Sequence, residues 1–386
     1  MRVYKEFADP FRMNNGKRVK DLRDWDKRRE EIKKMILEIE YGTMPDAPDD
    51  VNVEIIESNE IEGHIFHEKL HFTFIPDKSR PDVSFGMDAQ IRYPFPDCLE
   101  DRKEEILAFG KGGFPCMIYV GGYCSLELLD AGYIIINFEN DQLDPMEMGN
   151  PIKGPAQKAY DALEFGSYSW GSISVWAWGA RRMLDFALSK DQINDDQIFI
   201  SGHSRNGKTA LLAGALDERF ALVCPAGSGC AGAGSYFAVG EGAETLASLT
   251  DKRRWWAWTH KEFSQYAYEF RGESKKDLPF DQHFVMALVA PRPILRMEGN
   301  EDWWANPEGT SCSFLATQPV FDFLGASDCN QLFIRSGGHQ HNHEDMMAML
   351  SFANHYFFGI PQERIFKDLM HPINQMPDLF SWERPE

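Results

Sequence analysis

Residues 197–214 read QIFISGHSRNGKTALLAG, and no other stretch restricts the possible folds so strongly. Three apolar residues, Ile198, Phe199 and Ile200, run into the polar turn Gly202-His203-Ser204-Arg205-Asn206-Gly207, and a helix-forming run follows from Lys208. Strand, sharp turn and helix with a serine at the apex form a nucleophile elbow. Strand and helix then lie within a side chain's width of each other, which requires small residues such as Gly202 and Gly207. The usual elbow is G-x-S-x-G; here Asn206 stands two after the serine and the glycine comes one later.

The rest of the chain supplies a sheet for that elbow. Residues 21–41 place Trp25, Ile32, Met35, Ile36 and Ile39 at helical spacing, and residues 51–94 alternate as antiparallel strands do. Residues 115–120 and 133–138 are apolar at almost every position, as strands covered on both faces are. The loops that follow them, Gly121-Gly122-Tyr123 and Glu139-Asn140-Asp141, fall at strand ends where parallel sheets hold ligands. A tryptophan- and alanine-rich helix is expected over 172–189, then the elbow, then a strand over 220–225 and a glycine-rich turn over 226–234. Residues 235–280 read as an excursion with exposed aromatic candidates, among them Trp255, Trp256 and Trp258. Helix 281–290, strand 293–297, the loop EGNEDWWANPEG, helix 311–325, strand 331–335 and a last helix to Phe358 complete the order. Alternating strands and helices imply an α/β-hydrolase fold: a mostly parallel central sheet with helices on both faces and antiparallel N-terminal strands. One domain over 1–386 is expected, with a helical extension at about 1–50 and the insertion at about 235–280.

A formal net charge of −20 argues against nucleic acid and anionic membranes as partners, and means that an anionic ligand would need a local cationic site. The first residues lack the apolar core of a secretory signal, so a cytoplasmic location is the expectation. Seven scattered cysteines, with no C-x-x-C pair, fit reduced thiols rather than a disulfide framework or a zinc site.

Ser204 at the apex would expose its hydroxyl, with the Arg205 amide at the oxyanion position; the competing role is a helix N-cap. A serine needs a base, and His339 follows Gly337-Gly338 directly after a strand on the same sheet edge. His341 and His343 are rivals in the same loop and otherwise solvated. The run His339-Gln340-His341-Asn342-His343-Glu344-Asp345 also invites a metal reading, but its order departs from H-x-H-x-D-H, and no metal or organic cofactor is expected. Asp302, just beyond a strand, is the expected acid, with Glu301 and Glu298 as close alternatives.

GHSRNGK resembles the G-x-S-R-N-G-K signature of the glucuronoyl esterases, carbohydrate esterases acting on the ester between a glucuronic acid carboxyl of xylan and a lignin alcohol. WDKRREEIKKMILEIEYGTMP, SVWAWGARRMLDF and LPFDQHFVMALVAPRP followed by NEDWWANPEG extend the resemblance over about residues 25–358. It implies Ser204 as nucleophile, His339 as base, Arg205 as a cation assisting the oxyanion, Lys208 meeting sugar hydroxyls or the uronate, and Trp303 packing against the sugar. One departure is that Gly227 stands where many members carry a catalytic glutamate, which leaves the acid to the Asp302 loop. The implied function is a metal-independent serine carboxylic ester hydrolase for small-molecule or oligosaccharide uronate esters, small imported ones in particular. A carbohydrate acetyl esterase on the same triad and a carbohydrate-binding pseudoenzyme remain the alternatives.

Overall fold

A computed structural model describes residues 1–61, 64–94, 112–122, 125–145, 153–163, 168–253, 256–267 and 277–386. Tyr123, Trp255, Cys98 and Cys124 lie outside the described residues, as does the side chain of Trp256.

Among the described residues the strands are β1 (Arg2–Val3), β2 (Asp50–Ile61), β3 (His64–Ile75), β4 (Phe85–Arg92), β5 (Phe114–Val120), β6 (Ile134–Phe138), β7 (Ile193–His203), β8 (Leu222–Ala226), β9 (Ala238–Val239), β10 (Ile294–Gly299) and β11 (Asn330–Arg335). Nine of them form one sheet in the order β11-β10-β8-β7-β5-β6-β4-β3-β2. From β11 to β6 every pairing is parallel, and β4, β3 and β2 continue antiparallel. This is the α/β-hydrolase arrangement expected from the alternation of apolar runs. The burial of β4 alternates residue by residue, whereas β6 is buried throughout, because helices cover both faces of the parallel half.

Strand pleating sorts neighbours into two cores. In β5, Ile118 and Val120 join the core that holds Trp176, Trp178 and Leu211, while Met117 and Tyr119 join the one that holds Phe199, Met297 and Phe352. Helices Ser172–Ala187 and Arg205–Leu216 cover the first face, and His343–Phe358 covers the second. Trp176 and Trp178 are fully buried. Each removes roughly 150–250 Å² from water, worth roughly 4–6 kcal/mol before conformational entropy.

The segment before β2 is sewn into this body. Helix Leu22–Ile36 is capped by Asp21 and continues as a π-turn over Leu37–Tyr41, which brings both Glu40 and Tyr41 into the interior before Gly42 turns the chain at φ 84°. β1 pairs with β9, and Phe7, Phe11 and Trp25 are buried. In the excursion the expectation of exposed aromatics does not hold for the described residues: Tyr236, Phe237, Trp258, Phe263 and Tyr266 are all buried. They pack on each other and on the tryptophan helix, as Trp258 does edge-on against Trp176. Cys116, Cys224, Cys230, Cys312 and Cys329 are free thiols.

Candidate active site

β7 runs out at His203, and Ser204 takes φ 59° and ψ −126° before the helix Arg205–Leu216 begins. A non-glycine residue held there costs about 1–3 kcal/mol and needs a surrounding that over-determines it. Two backbone bonds supply it: Ser204 N–H donates to Ala226 O at 2.9 Å, and Lys208 N–H donates to Ser204 O at 3.1 Å. A Cβ on Gly202 would lie 2.4 Å from Asn206 O, and one on Gly207 would lie 2.7 Å from Ala226 O. Glycine is therefore required at both positions. Asn206 ties the turn to neighbouring loops: its side-chain carbonyl accepts from Asn140 Nδ2 at 3.2 Å, and its amide fills the space where a Cβ on Gly121 would sit.

The Ser204 hydroxyl makes no capping bond to its helix. It faces His339 instead, with Nε2 at 2.9 Å from Oγ. His339 Nδ1 lies 2.6 Å from Asp302 Oδ2, so the tautomer serving both bonds carries its proton on Nδ1 and accepts from Ser204 at Nε2. Asp302 is 4% exposed, and its Oδ1 accepts from Ala305 N–H at 3.3 Å. Of its two rivals, Glu301 is exposed and Glu298 is buried. Burial, reinforced by the nearby Asp302 carboxylate, pushes the Glu298 carboxyl well above the ordinary range and so disfavours its charged form.

Both loops are held from below. A Cβ on Gly299 would come within 2.5 Å of Gly337 O, which shows how tightly the turns after β10 and β11 press together. Gly337 N–H donates to Asn300 Oδ1 at 3.1 Å, and Glu301 N–H to Gly337 O at 2.9 Å. The buried Arg335 guanidinium donates to the carbonyls of Ser336, Gly338 and Gln340 and to Asp345 Oδ2, the last at 2.7 Å. His339 thus sits in a loop wound around one cation.

The alternating histidines diverge. His341 is not a solvated loop residue: its Nδ1 meets Tyr119 Oη at 2.8 Å, and its ring stacks on His203. His343 pairs with Glu127 Oε1 at 2.8 Å. Burial drives the imidazole of His341 down to about 3, and that of His203, whose centroid is 4.5 Å from His339, down to about 4. Near neutral pH both rings are uncharged and do not repel a cation forming on His339.

A cavity of about 290 Å³ opens above Ser204, lined by Arg205, Lys208, Gly227, Ser228, Glu244, Trp258, Trp304 and His339 among others. Arg205 lies over the Trp176 ring at 5.7 Å and donates from Nη2 to Asp141 Oδ2 at 2.8 Å. Lys208 lines the cavity, but its ammonium is committed to the protein. It donates to Ser228 O at 2.9 Å, to Cys230 O and to Glu244 Oε2 at 2.8 Å, so it is a pillar of the wall rather than a free cation. The cavity wall holds the neighbour of the expected tryptophan. Trp303, 57% exposed, does not line the cavity, whereas its neighbour Trp304 does. The two begin the tight turn Trp303–Ala305, where successive side chains point about 120° apart. Gly227 has φ 49°, and a Cβ there would lie 3.0 Å from His203 Nε2 and 3.5 Å from Asp302 Oδ2. Asp302 and His203 therefore crowd the room above Gly227. Sequence reading missed Glu244, Arg335 and the role of His203. His203 was in plain view inside the elbow, but Glu244 carries no local signal.

Fold and site together define the class: an α/β-hydrolase with a serine at its elbow and a histidine and an aspartate aligned behind it. Residues 87–325 match the family described as "Glucuronyl esterase, fungi", and the chain belongs to that family. It is 28% identical over 348 residues to a 4-O-methyl-glucuronoyl methylesterase of Podospora anserina, covering 88% of this chain and 64% of that protein's length. A protein of the same name from Thermothelomyces thermophilus is 29% identical over 368 residues, covering 92% of this chain and 82% of its own. A carbohydrate esterase family 15 glucuronoyl esterase from Caldicellulosiruptor kristjansonii superposes with a TM-score of 0.80 at 27% identity, covering 100% of this chain and 98% of that one.

Proposed function

We propose that the chain hydrolyses carboxylic esters of glucuronic acid through a covalent acyl-enzyme on Ser204. The observation that carries this reading is the position of His339, within hydrogen-bond reach of Ser204 Oγ on one side and Asp302 on the other. His339 Nε2 takes the hydroxyl proton as Oγ attacks the ester carbonyl, and Asp302 stabilises the resulting imidazolium. The oxyanion forms at the N-terminus of the elbow helix, beside the Arg205 amide and guanidinium. Nε2 then protonates the departing alkoxide. Water, deprotonated by the same nitrogen, attacks the acyl-enzyme, and Nε2 returns the proton to the departing Ser204 Oγ as glucuronate is released. The family resemblance and the cavity wall of Lys208, Glu244, Trp258 and Trp304, which combines polar groups with aromatic faces, support a sugar acyl group over a simple acetyl.

The test compares benzyl glucuronate with acetylated xylo-oligosaccharides. Hydrolysis of the first should dominate, and Ser204→Ala should lower kcat by about 10⁵-fold or more. Preference for the acetyl esters would overturn the substrate, and turnover retained by Ser204→Ala would overturn the mechanism.

A further inference from the structure

The turn after β6, Glu139-Asn140-Asp141, lies at a strand end on the site's edge of the sheet and is not used in the chemistry above. It nevertheless grips both polar residues that follow the serine. Asn140 donates to Asn206, and Asp141 accepts from Arg205. Among the described residues Asp141 is the one carboxylate paired with that guanidinium, and Arg205 Nε is buried without a hydrogen-bond partner.

The reaction sets Arg205 a conflict. An ester substrate is neutral, the oxyanion places charge on one oxygen, and the product is a full anion with its charge shared over two. A guanidinium grips a carboxylate best through two parallel N–H bonds, and each of its two forks that can do so uses Nη2. Asp141 takes one of that nitrogen's two N–H bonds and so competes with a bound carboxylate for the fork that shares it. Resting on the reading of the chain as a glucuronoyl esterase, we propose that Asp141 is a positioning residue that fixes Arg205 for contact with the oxyanion and weakens its grip on the glucuronate product. Asp141 thereby favours product release. Its carboxylate also offsets part of the cation's charge, which weakens the pull on a permanently charged product.

The test measures calorimetric binding of sodium glucuronate and of methyl glucuronate to forms carrying Ser204→Ala, so that the ester is not consumed. Asp141→Ala should bind glucuronate about tenfold more tightly than the form with Asp141, consistent with one charge-assisted hydrogen bond gained. The uncharged methyl ester should change by less than about twofold, and Asp141→Glu should restore the original affinity for glucuronate. In the active enzyme, Asp141→Ala should lower kcat on benzyl glucuronate and strengthen product inhibition. Glucuronate affinity that is unchanged, weakened or shifted in parallel with the ester overturns the proposal and reduces Asp141 to a structural support. If no form hydrolyses benzyl glucuronate, the assigned function fails, while the calorimetric ratio still decides what Asp141 does to a bound carboxylate.

Discussion

The residue that most needed the structure is the acid. Asp302, Glu301 and Glu298 sit within five positions of one another, and sequence distance does not separate them. Depth and direction do. Glu301 is exposed, Glu298 points into the core from β10 with Thr310 donating to it at 3.0 Å, and Asp302 alone meets His339. The expected outcome is a sharp contrast. Asp302→Asn, which favours the wrong imidazole tautomer, should lower kcat by about 10³–10⁴-fold. Glu298→Gln replaces a carboxyl whose charged form burial disfavours and which does not meet His339, so kcat should stay within about threefold of the parent. Steady-state kinetics on benzyl glucuronate checks both, and the reverse order of sensitivity would move the acid to Glu298.

Among elements, the loop after β11 shows how a flexible-looking segment becomes a precise one. Gly337 and Gly338 read as freedom for a histidine to travel, and Gly337 does use a φ of 97° that glycine permits. The surrounding bonds remove that freedom: Arg335 spans three loop carbonyls and Asp345, which also accepts from Asn342 N–H in the capping box of the last helix. Lysine retains the charge but is a point donor on a single stem and cannot span that set. Arg335→Lys should therefore lower kcat by about tenfold or more while KM stays within about twofold, because the loop positions the base and not the substrate. A fall in melting temperature should accompany it, since the Arg335–Asp345 pair is buried. Unaltered kcat in a folded Arg335→Lys protein would mean that the glycine turn holds itself.

For the molecule as a whole, the packing of the N-terminal segment brings in a pair of buried acids. Glu40 accepts from Tyr236 Oη and from Gln282 Nε2, and Asp281 accepts from Ser235 Oγ and the amides of Tyr236 and Gln282. Tyr41 reaches from the same turn to Ala231 O, at the far end of the glycine-rich strip whose residues Gly227 to Gly229 line the cavity. Burial raises the Glu40 carboxyl to about 7 and that of Asp281 to about 6, with the hydrogen bonds opposing the rise. A raised folded value means that the folded chain holds these protons more tightly than the unfolded chain. The resulting stabilisation is complete at acid pH, below the ordinary carboxyl value, and is lost as pH rises through about 6 to about 7. Glu40→Gln removes one of the two titrations. Its melting temperature should rise relative to the parent as pH goes from about 5 to about 8. A difference that stays flat across that range would show that the Glu40 proton is not linked to folding.

The sequence by itself determined the elbow, the order of strands and helices, the two-faced burial of β5 to β8, and the neighbourhood of His339 and of the Asp302 loop. Each rests on local pattern: periodicity, glycine spacing, and a serine between strand and helix. Tertiary structure decided every choice between near neighbours, among them Asp302 over Glu298 beside His339, Trp304 over Trp303 on the cavity wall, and His341 half-buried against Tyr119 rather than solvated. It also paired Lys208 with Glu244, 36 residues away, and joined Arg205 to Asp141 across 64. The reason is physical. A repeat in the chain fixes which element forms, but burial, charge partners and side-chain direction at a loop end depend on residues brought close by folding and not by sequence.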